Sequence, residues 1–272
     1  MSKVWYITGT SRGLGREFAI NALERGDRVA ATARNVASLG DLVEKYGDAL
    51  LPLALDVTDK AAVEATVAQA HERFGRLDVV VNNAGYGHFG AVEELTETEI
   101  RDQMETNFFG ALWVVQAALP ILRAQGSGHI VQISTIGGIG AFPNIGAYHA
   151  SKWALEGMSE ALAQEVKPLG IHVTLVEPGG FTTDWAGDSS KRSEPMPEYE
   201  PVREAMLARR SSQQPGNPVT AGRAILDVVD AEEPPLRVLF GSGPTEMVKT
   251  IYAQRLATWD EWSWLSHQAQ GD

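Results

Sequence analysis

The chain contains no cysteine. That absence excludes disulfides and thiolate metal ligands, so packing and hydrogen bonds must hold the fold, and it fits a reducing compartment. Basic runs are missing too. Lys and Arg number 23 against 35 Asp and Glu, giving a net charge of −12 and a pI near 5.0. With no Lys/Arg cluster, nucleic acid and anionic membrane are poor partners. No stretch of about 18 apolar residues exists, so no membrane span is expected. The start lacks a signal-peptide core, because Gly9 cuts the apolar run Val4-Trp5-Tyr6-Ile7 short; a cytoplasmic setting is expected. Internal repeats, low-complexity segments and an interdomain linker are also lacking, so one domain is expected over residues 1–272. What is present is ordinary for a globular protein: 44% of the residues are hydrophobic, enough for a sizeable core.

Short β-prone apolar runs alternate with helical patterns. Strands are expected at 4–7, 27–33, 50–55, 77–81, 129–133, 171–176 and 236–240. Helices are expected at 16–25, 36–46, 60–74 and 220–229, with one long pattern or two over 95–125 and another through Tyr148 that ends near 168–170. The run 77–81 is nearly all apolar, as a strand covered on both faces should be. Seven strands separated by helices describe a doubly wound parallel sheet whose ligand crevice lies at the strand C-termini. From 181 to 218 the composition shifts: prolines 195, 197, 201, 215 and 218 are scattered among Ser, Glu and Arg. This segment reads as a mobile loop with one helix near 199–210, a candidate lid over substrate. The tail 245–272 looks helical to about residue 265 and carries Trp259, Trp262 and Trp264. That aromatic density suggests packing on the body or on a second subunit.

Chemistry-bearing residues gather at the expected strand ends. Gly9, Gly13 and Gly15 join the first strand to the first helix in a G-x-x-x-G-x-G pattern. Such a turn lets backbone N–H groups and the helix dipole meet a pyrophosphate, although it also serves mere chain reversal. Arg34 ends the second strand, where an acidic residue would bind a ribose 2′-hydroxyl and an arginine suits a 2′-phosphate. Arg12 is a second cation, and together they favour NADP over NAD; otherwise both are solvated surface charges. Asp56 either receives an adenine amino group or closes its own turn. Asn107 stands among Phe108, Phe109 and Ala111, and a buried amide there must find partners. Tyr148 and Lys152 lie four residues apart on one helix face. An ammonium there favours the phenolate, lowers the tyrosine pKa from about 10 and makes Tyr148 a candidate general acid or base.

The series Thr8-Gly9-x-x-x-Gly13-x-Gly15, Asn82-Asn83-Ala84-Gly85, Asn107, Ser134, Tyr148-x-x-x-Lys152 and Pro178-Gly179 resembles, in order, the short-chain dehydrogenase/reductase superfamily. More loosely, the segments 8–16 and 176–181 resemble its hydroxysteroid and retinol dehydrogenase group. The resemblance implies a single-domain Rossmann-type fold with helices on both faces of a parallel seven-stranded sheet. It implies an NADP(H)-dependent oxidoreductase (a ketoreductase) that interconverts a carbonyl and an alcohol by hydride transfer. Tyr148 would exchange the proton, Lys152 would lower its pKa and hold the nicotinamide ribose, Ser134 would hydrogen-bond the substrate oxygen, and Asn107 would position a relay water. The dinucleotide would lie on Gly9, Ser11, Arg12, Gly13, Leu14, Gly15, Arg34, Asp56, Val57, Asn83, Ala84, Gly85, Tyr148, Lys152, Pro178, Gly179, Phe181 and Thr183. No metal is expected. Relatives commonly form dimers or tetramers, so a homo-oligomer is expected. His88, Phe89, Ile136, Phe142, Trp185, Met196 and Tyr199 could reach the pocket, and their apolar bias suggests an apolar small-molecule substrate. His149 is expected to be packing or surface. The competing readings are a nucleotide-sensing or regulatory protein with little turnover, and an epimerase or dehydratase of the longer branch.

Overall fold

The computed structural model describes residues 2–211 and 214–271. Residues 212 and 213 of the expected 181–218 loop, and residue 272 of the tail, lie outside the described residues. Strand β1 (Val4–Ile7) shows how the chain builds its layers. It is buried along its whole length, with Val4 and Tyr6 in one core and Trp5 and Ile7 in the other, the period-two alternation of a strand covered on both faces. The two polar tips are satisfied: Trp5 Nε1 donates to Asp27 at 2.8 Å, and the Tyr6 hydroxyl meets Thr66 Oγ1 at 2.8 Å. Burying each of these large side chains stabilises the fold by roughly 1.5–3 kcal/mol.

The other strands are β2 (Arg28–Ala33), β3 (Leu50–Ala54), β4 (Val79–Asn82), β6 (Gly128–Ile133), β7 (Ile171–Pro178) and β9 (Arg237–Phe240). With β1 they form one parallel sheet in the order β3-β2-β1-β4-β6-β7-β9. The order reverses between β1 and β4, so the crevice expected of such a sheet opens at their C-terminal ends. Helices α1 (Gly13–Glu24), α2 (Gly40–Tyr46) and α8 (Pro218–Asp230) bury Phe18, Leu42 and Ile225 on one face. Helices α3 (Lys60–Phe74), α5 (Gly110–Gln125) and α6 (Gly146–Val166) bury Val67, Leu122 and Leu162 on the other.

Several boundaries follow from side-chain chemistry. Asp59 caps α3 by accepting from Ala62 N at 3.0 Å, and Gly75 closes it at φ +78°. Thr96 and Glu99 form the capping box of α4 (Glu97–Met104). The long pattern over 95–125 resolves into α4 and α5 joined through a π turn at Glu105–Phe109. By length and composition alone the run Glu97–Gln125 would suffice to cross a membrane, a test that a buried core helix also passes. Here Val114, Ala118 and Leu122 of this run pack against the sheet. The helix expected over 36–46 begins instead as a 3-10 turn, Val36–Leu39, capped by Asn35.

Two strands were not foreseen. β5 (His88–Phe89) and β8 (Lys191–Arg192) pair in parallel as a small second sheet, and tie the segment after β7 to the loop after β4. Helix α7 (Glu200–Ser211) follows. The tail forms α9 (Pro244–Glu261) and α10 (Ser263–Gln270). It meets the body through Ile251, which approaches Gly140, and through Arg255, which donates to the Ile139 carbonyl at 2.6 Å and lies over the Trp153 ring. Trp259, Trp262 and Trp264 remain exposed, so the tryptophans do not make the contact with the body that their density suggested.

Candidate active site

The chain leaves β1 through the glycine turn. Gly9 and Gly13 adopt φ of +71° and +63°, a region that penalises a side chain. Gly15 is needed for space: a Cβ there would lie 2.2 Å from Asn83 Nδ2 and 2.6 Å from the Gly9 carbonyl oxygen. The Asn83 amide donates to the carbonyls of Thr8 and Gly9, both at 2.9 Å. Thr8 Oγ1 in turn accepts from the backbone N–H of Asn83 and Ala84, both at 3.0 Å. The side chain of Asn83, expected along an adenosine, thus holds the turn itself. Helix α1 starts at Gly13 with no side-chain cap from Arg12, which leaves its first N–H groups and positive end open to an anion.

The two arginines differ. Arg34 is exposed at the end of β2. Arg12 pairs with Asp184 at 2.8 Å. Asp56 Oδ1 accepts from Thr58 N at 3.0 Å and from its hydroxyl at 2.8 Å, closing its own turn. The Val57 side chain is buried under Gly110. Ser11 is exposed beside Arg12, and Leu14 packs on the core beneath α1. At the far wall, Gly179 N donates to the Phe240 carbonyl at 3.0 Å, directly after Pro178. Phe181 packs on the core, and Thr183 comes within 3.8 Å of where a Cβ on Gly13 would sit. Glycine turn, open helix end and facing wall together fit a dinucleotide.

Tyr148 and Lys152 lie one turn apart on the buried face of α6. Lys152 Nζ donates to the Ile133 carbonyl at 2.7 Å and sits 6.0 Å from the centre of the Tyr148 ring. Asn107 is held inside the π turn, a distortion often found at functional positions. Its Oδ1 accepts from Tyr86 N at 3.1 Å, and its Nδ2 donates to Tyr86 O at 3.0 Å and Ser151 Oγ at 3.1 Å. A Cβ on Gly85 would lie 3.0 Å from Asn107 Oδ1 and 3.8 Å from Lys152 Nζ, so both groups converge at the end of β4.

Two expectations need correction. The side-chain hydroxyl facing the Tyr148 phenol is that of Thr135, whereas Ser134, expected at the substrate oxygen, is not beside it. Ser134 N still pairs with Val176 O at 2.8 Å, so the strand pleat persists past β6 and adjacent side chains go to opposite faces. Ser134 turns away toward Glu156. Strand parity was the signal available for this, since Ser134 shares the parity of Gln132 and Thr135 that of Ile133. The second correction concerns the phenol. Burial pushes Tyr148 above its ordinary value, and the Thr135 hydrogen bond recovers only part of that. Burial also pulls Lys152 down to about 8, with Glu156 opposing it. Desolvation is therefore the largest influence on the phenol, and what lowering there is comes from Thr135 rather than from the cation expected to supply it.

The segment after β7 covers the site. Trp185 lies 4.9 Å from the Tyr148 ring and 5.7 Å from Phe89, centre to centre. It fits because residue 87 is glycine, whose Cβ would sit 2.5 Å from the indole. His88, also considered for the pocket, bonds Ser193 Oγ at 2.9 Å. Tyr199 turns outward, donating to Glu93 at 2.5 Å, and Met196 N is held by Glu94 at 2.7 Å. His149 is buried against Phe142, and burial lowers it to about 4, so it is a neutral packing residue. Ile136 opens a partly buried 3-10 turn beside them.

A family model described as short chain dehydrogenase matches residues 3–194. The oxidoreductase BOA17 of Botryotinia fuckeliana is 43% identical over 270 residues, covering 98% of each chain. The crystal structure of a short-chain dehydrogenase from Streptomyces avermitilis matches with a TM-score of 0.93 at 41% identity, over 98% of each chain. An alcohol dehydrogenase from the archaeon Thermococcus sibiricus, solved with 5-hydroxy-NADP, matches at a TM-score of 0.76 and 27% identity, over 90% of this chain and 98% of that one. Sheet order, glycine turn and the Tyr148–Lys152 pair agree with that match over most of the length: the chain belongs to the short-chain dehydrogenase/reductase superfamily and is one of its oxidoreductases.

Proposed function

We propose that the protein interconverts a ketone or aldehyde and the corresponding alcohol, with NADP(H) as cofactor and Tyr148 as general acid and base. The observation that carries this is the Tyr148 phenol, buried at the crevice with the Thr135 hydroxyl facing it and Lys152 behind it. A bound nicotinamide dinucleotide would supply or take the hydride. The backbone from Gly9 to Gly15, with Ser11 and Leu14, would hold its phosphates. Asp56 and Val57, the Asn83–Gly85 turn, and Pro178, Gly179, Phe181 and Thr183 would flank it. Arg34 at the end of β2, with Arg12 in the glycine turn as a second cation, favours a 2′-phosphate and hence NADP over NAD.

In reduction, Tyr148 gives its proton to the substrate oxygen, and Thr135 donates a second hydrogen bond to the charge growing there. A buried phenol holds its proton at neutral pH, which suits the acid of this step. Lys152 stabilises the phenolate left behind, and Asn107 keeps the end of β4 in place beside it. Trp185, Phe89 and Ile136 make the substrate side apolar, so an apolar carbonyl compound is favoured. The Trp185 ring over Tyr148 also favours a second reading, a nucleotide sensor with little turnover. We further propose a homodimer or homotetramer, to be tested by light scattering.

Titration with NADPH and NADH, followed by nicotinamide fluorescence and a panel of apolar ketones, tests the assignment. NADPH should bind more tightly than NADH, Arg34→Asp should remove or reverse the difference, and some ketone should be reduced. Tight cofactor binding without turnover of any ketone would favour the sensor.

A further inference from the structure

Behind Lys152, where α6 faces the sheet, lies a polar cluster that hydride transfer does not call upon. Glu156 follows Lys152 by one helical turn, Gln132 and Ser134 come from β6 and its end, Glu177 from β7 and Arg237 from β9. Glu156, Glu177, Gln132 and Ser134 are 6%, 2%, 0% and 3% exposed. Arg237 Nε lies 3.1 Å from Glu156 Oε2 and 3.5 Å from Glu177 Oε1, while its Nη2 reaches Glu160 at the surface at 2.8 Å. A Cβ on Gly138 would sit 2.7 Å from Ser134 Oγ and 2.9 Å from Glu156 Oε1, so the hydroxyl stands beside the carboxylate, close enough to stabilise it but without well-formed hydrogen-bond geometry. Glu177 Oε1 and both amide atoms of Gln132 have no hydrogen-bond partner among the described residues.

The charges do not balance as drawn. Two buried carboxylates contact one guanidinium, which a third carboxylate, Glu160, also engages, and the other cation, Lys152, lies a helical turn away with its ammonium on the Ile133 carbonyl. An uncompensated buried charge is costly, and two coupled carboxyls relieve it by retaining a proton. Burial first and Glu156 second push Glu177 up to about 8, and burial raises Glu156 as well. The charged groups that face the pair are Lys152 and Glu160 on α6 and Arg237 on β9. From β6 and the turn Ile136–Gly138 come only Gln132, Ser134 and backbone.

We propose that Glu156 and Glu177 share a single proton and act as positioning residues for Lys152, keeping one negative charge a helical turn behind its ammonium. That charge opposes the burial that would otherwise discharge the lysine, so the cation needed beside the Tyr148 phenolate is retained. The role rests on the carbonyl-reductase reading above. Its consequence is specific to the pair: the charge rests mainly on Glu156, which lies on the same helix as Lys152, and the shared proton mainly on Glu177 of β7.

The test is the pH profile of kcat for carbonyl reduction in Glu156→Gln, Glu177→Gln and Arg237→Gln, with NADPH saturating and folding checked by thermal melting. Reduction requires charged Lys152 and so declines along an alkaline limb. Glu156→Gln should move that limb down by about one pH unit, an approximately tenfold loss on the limb. Glu156→Asp, which keeps the charge, should restore it. Arg237→Gln should move it down as well, since the pair then takes up its second proton; Arg237 is partly exposed, so this variant serves if Glu156→Gln fails to fold. Glu177→Gln should leave the limb at or above its original position. A limb unmoved in folded Glu156→Gln or Arg237→Gln, or lowered equally in Glu177→Gln, overturns the proposal. The 13Cε shift of Lys152 in lysine-labelled protein, assigned with Lys152→Met, reads the same titration without turnover. An inactive protein would then count against the reductase reading, while the lysine shift still decides the pair.

Discussion

Replacing Tyr148 by Phe removes one oxygen from a buried phenol and leaves the ring against Trp185. The expected outcome is a fall in turnover of at least about 10²-fold, with NADPH affinity from fluorescence titration nearly unchanged. Loss of cofactor binding would contradict the proton-transfer role. Thr135 and Ser134 provide a sharper comparison, because one lies at the phenol and the other faces Glu156. Thr135→Ala should lower kcat by about 10²-fold, as loss of one donor to a developing oxyanion does, and Thr135→Ser should restore most of it. Ser134→Ala should cost at least tenfold less by the same assay, and equal losses would overturn the assignment. The sequence places two hydroxyls side by side, and only the pleat at the last rung of β6 decides between them. Tyr148, Lys152 and the glycines were legible because their spacing is local. The Glu156–Glu177–Arg237 cluster was not, since it joins α6, β7 and β9 through contacts up to 81 residues apart.

At the scale of elements, the segment from Phe181 to Arg192 is tied down at two points. One is the β5–β8 ladder, and the other is the Arg12–Asp184 pair on the glycine turn. Both ends of that pair are substantially exposed, so it is a weak bond, and its effect lies in what it occupies. While Arg12 is paired it is not free to meet a phosphate. Asp184→Asn should therefore tighten NADPH binding by up to about fivefold, the limit set by about 1 kcal/mol for an exposed pair, and less at high salt. Unchanged or weaker binding would mean that the pair does not compete with the cofactor. The local signals in this part of the chain were legible: the Thr96–Glu99 capping box and the α3 cap at Asp59 both lie where their side chains are found. β5 and β8 were hidden because each is two residues long and they pair across about a hundred positions. The π turn was hidden because Asn107 bonds the distant Tyr86 and Ser151 rather than its own helix.

Over the whole molecule, the order of apolar runs was enough to read the doubly wound sheet, because strands buried on both faces leave little freedom in composition. The same reasoning did not decide between the body and a second subunit for the tail tryptophans, and their exposure removes only the first. The buried titratable groups give the molecule a pH dependence that composition alone does not indicate. Burial lowers His129 to about 3. As pH falls below about 6.5 the unfolded chain takes up a proton that the fold refuses, and stability declines on the acid side. Glu177 acts on the other side. Its carboxyl is raised from 4.5 to about 8, so between those values the fold holds a proton that the unfolded chain has lost. Its contribution is fully present below the unfolded value and disappears as pH rises through about 8. Lys152, lowered from 10.5 to about 8, has the opposite slope, because above that pH the fold has already released a proton that the unfolded chain still binds. Urea midpoints should therefore fall from mildly acid pH toward about 8 and level off or recover above it. Glu177→Gln should flatten the fall, since an isosteric amide asks for no proton, and leave the acid-side decline of His129 in place. A variant that keeps the wild-type slope between pH 5 and 8 would show that Glu177 is ionised in the fold at neutral pH and that its charge is carried by Arg237.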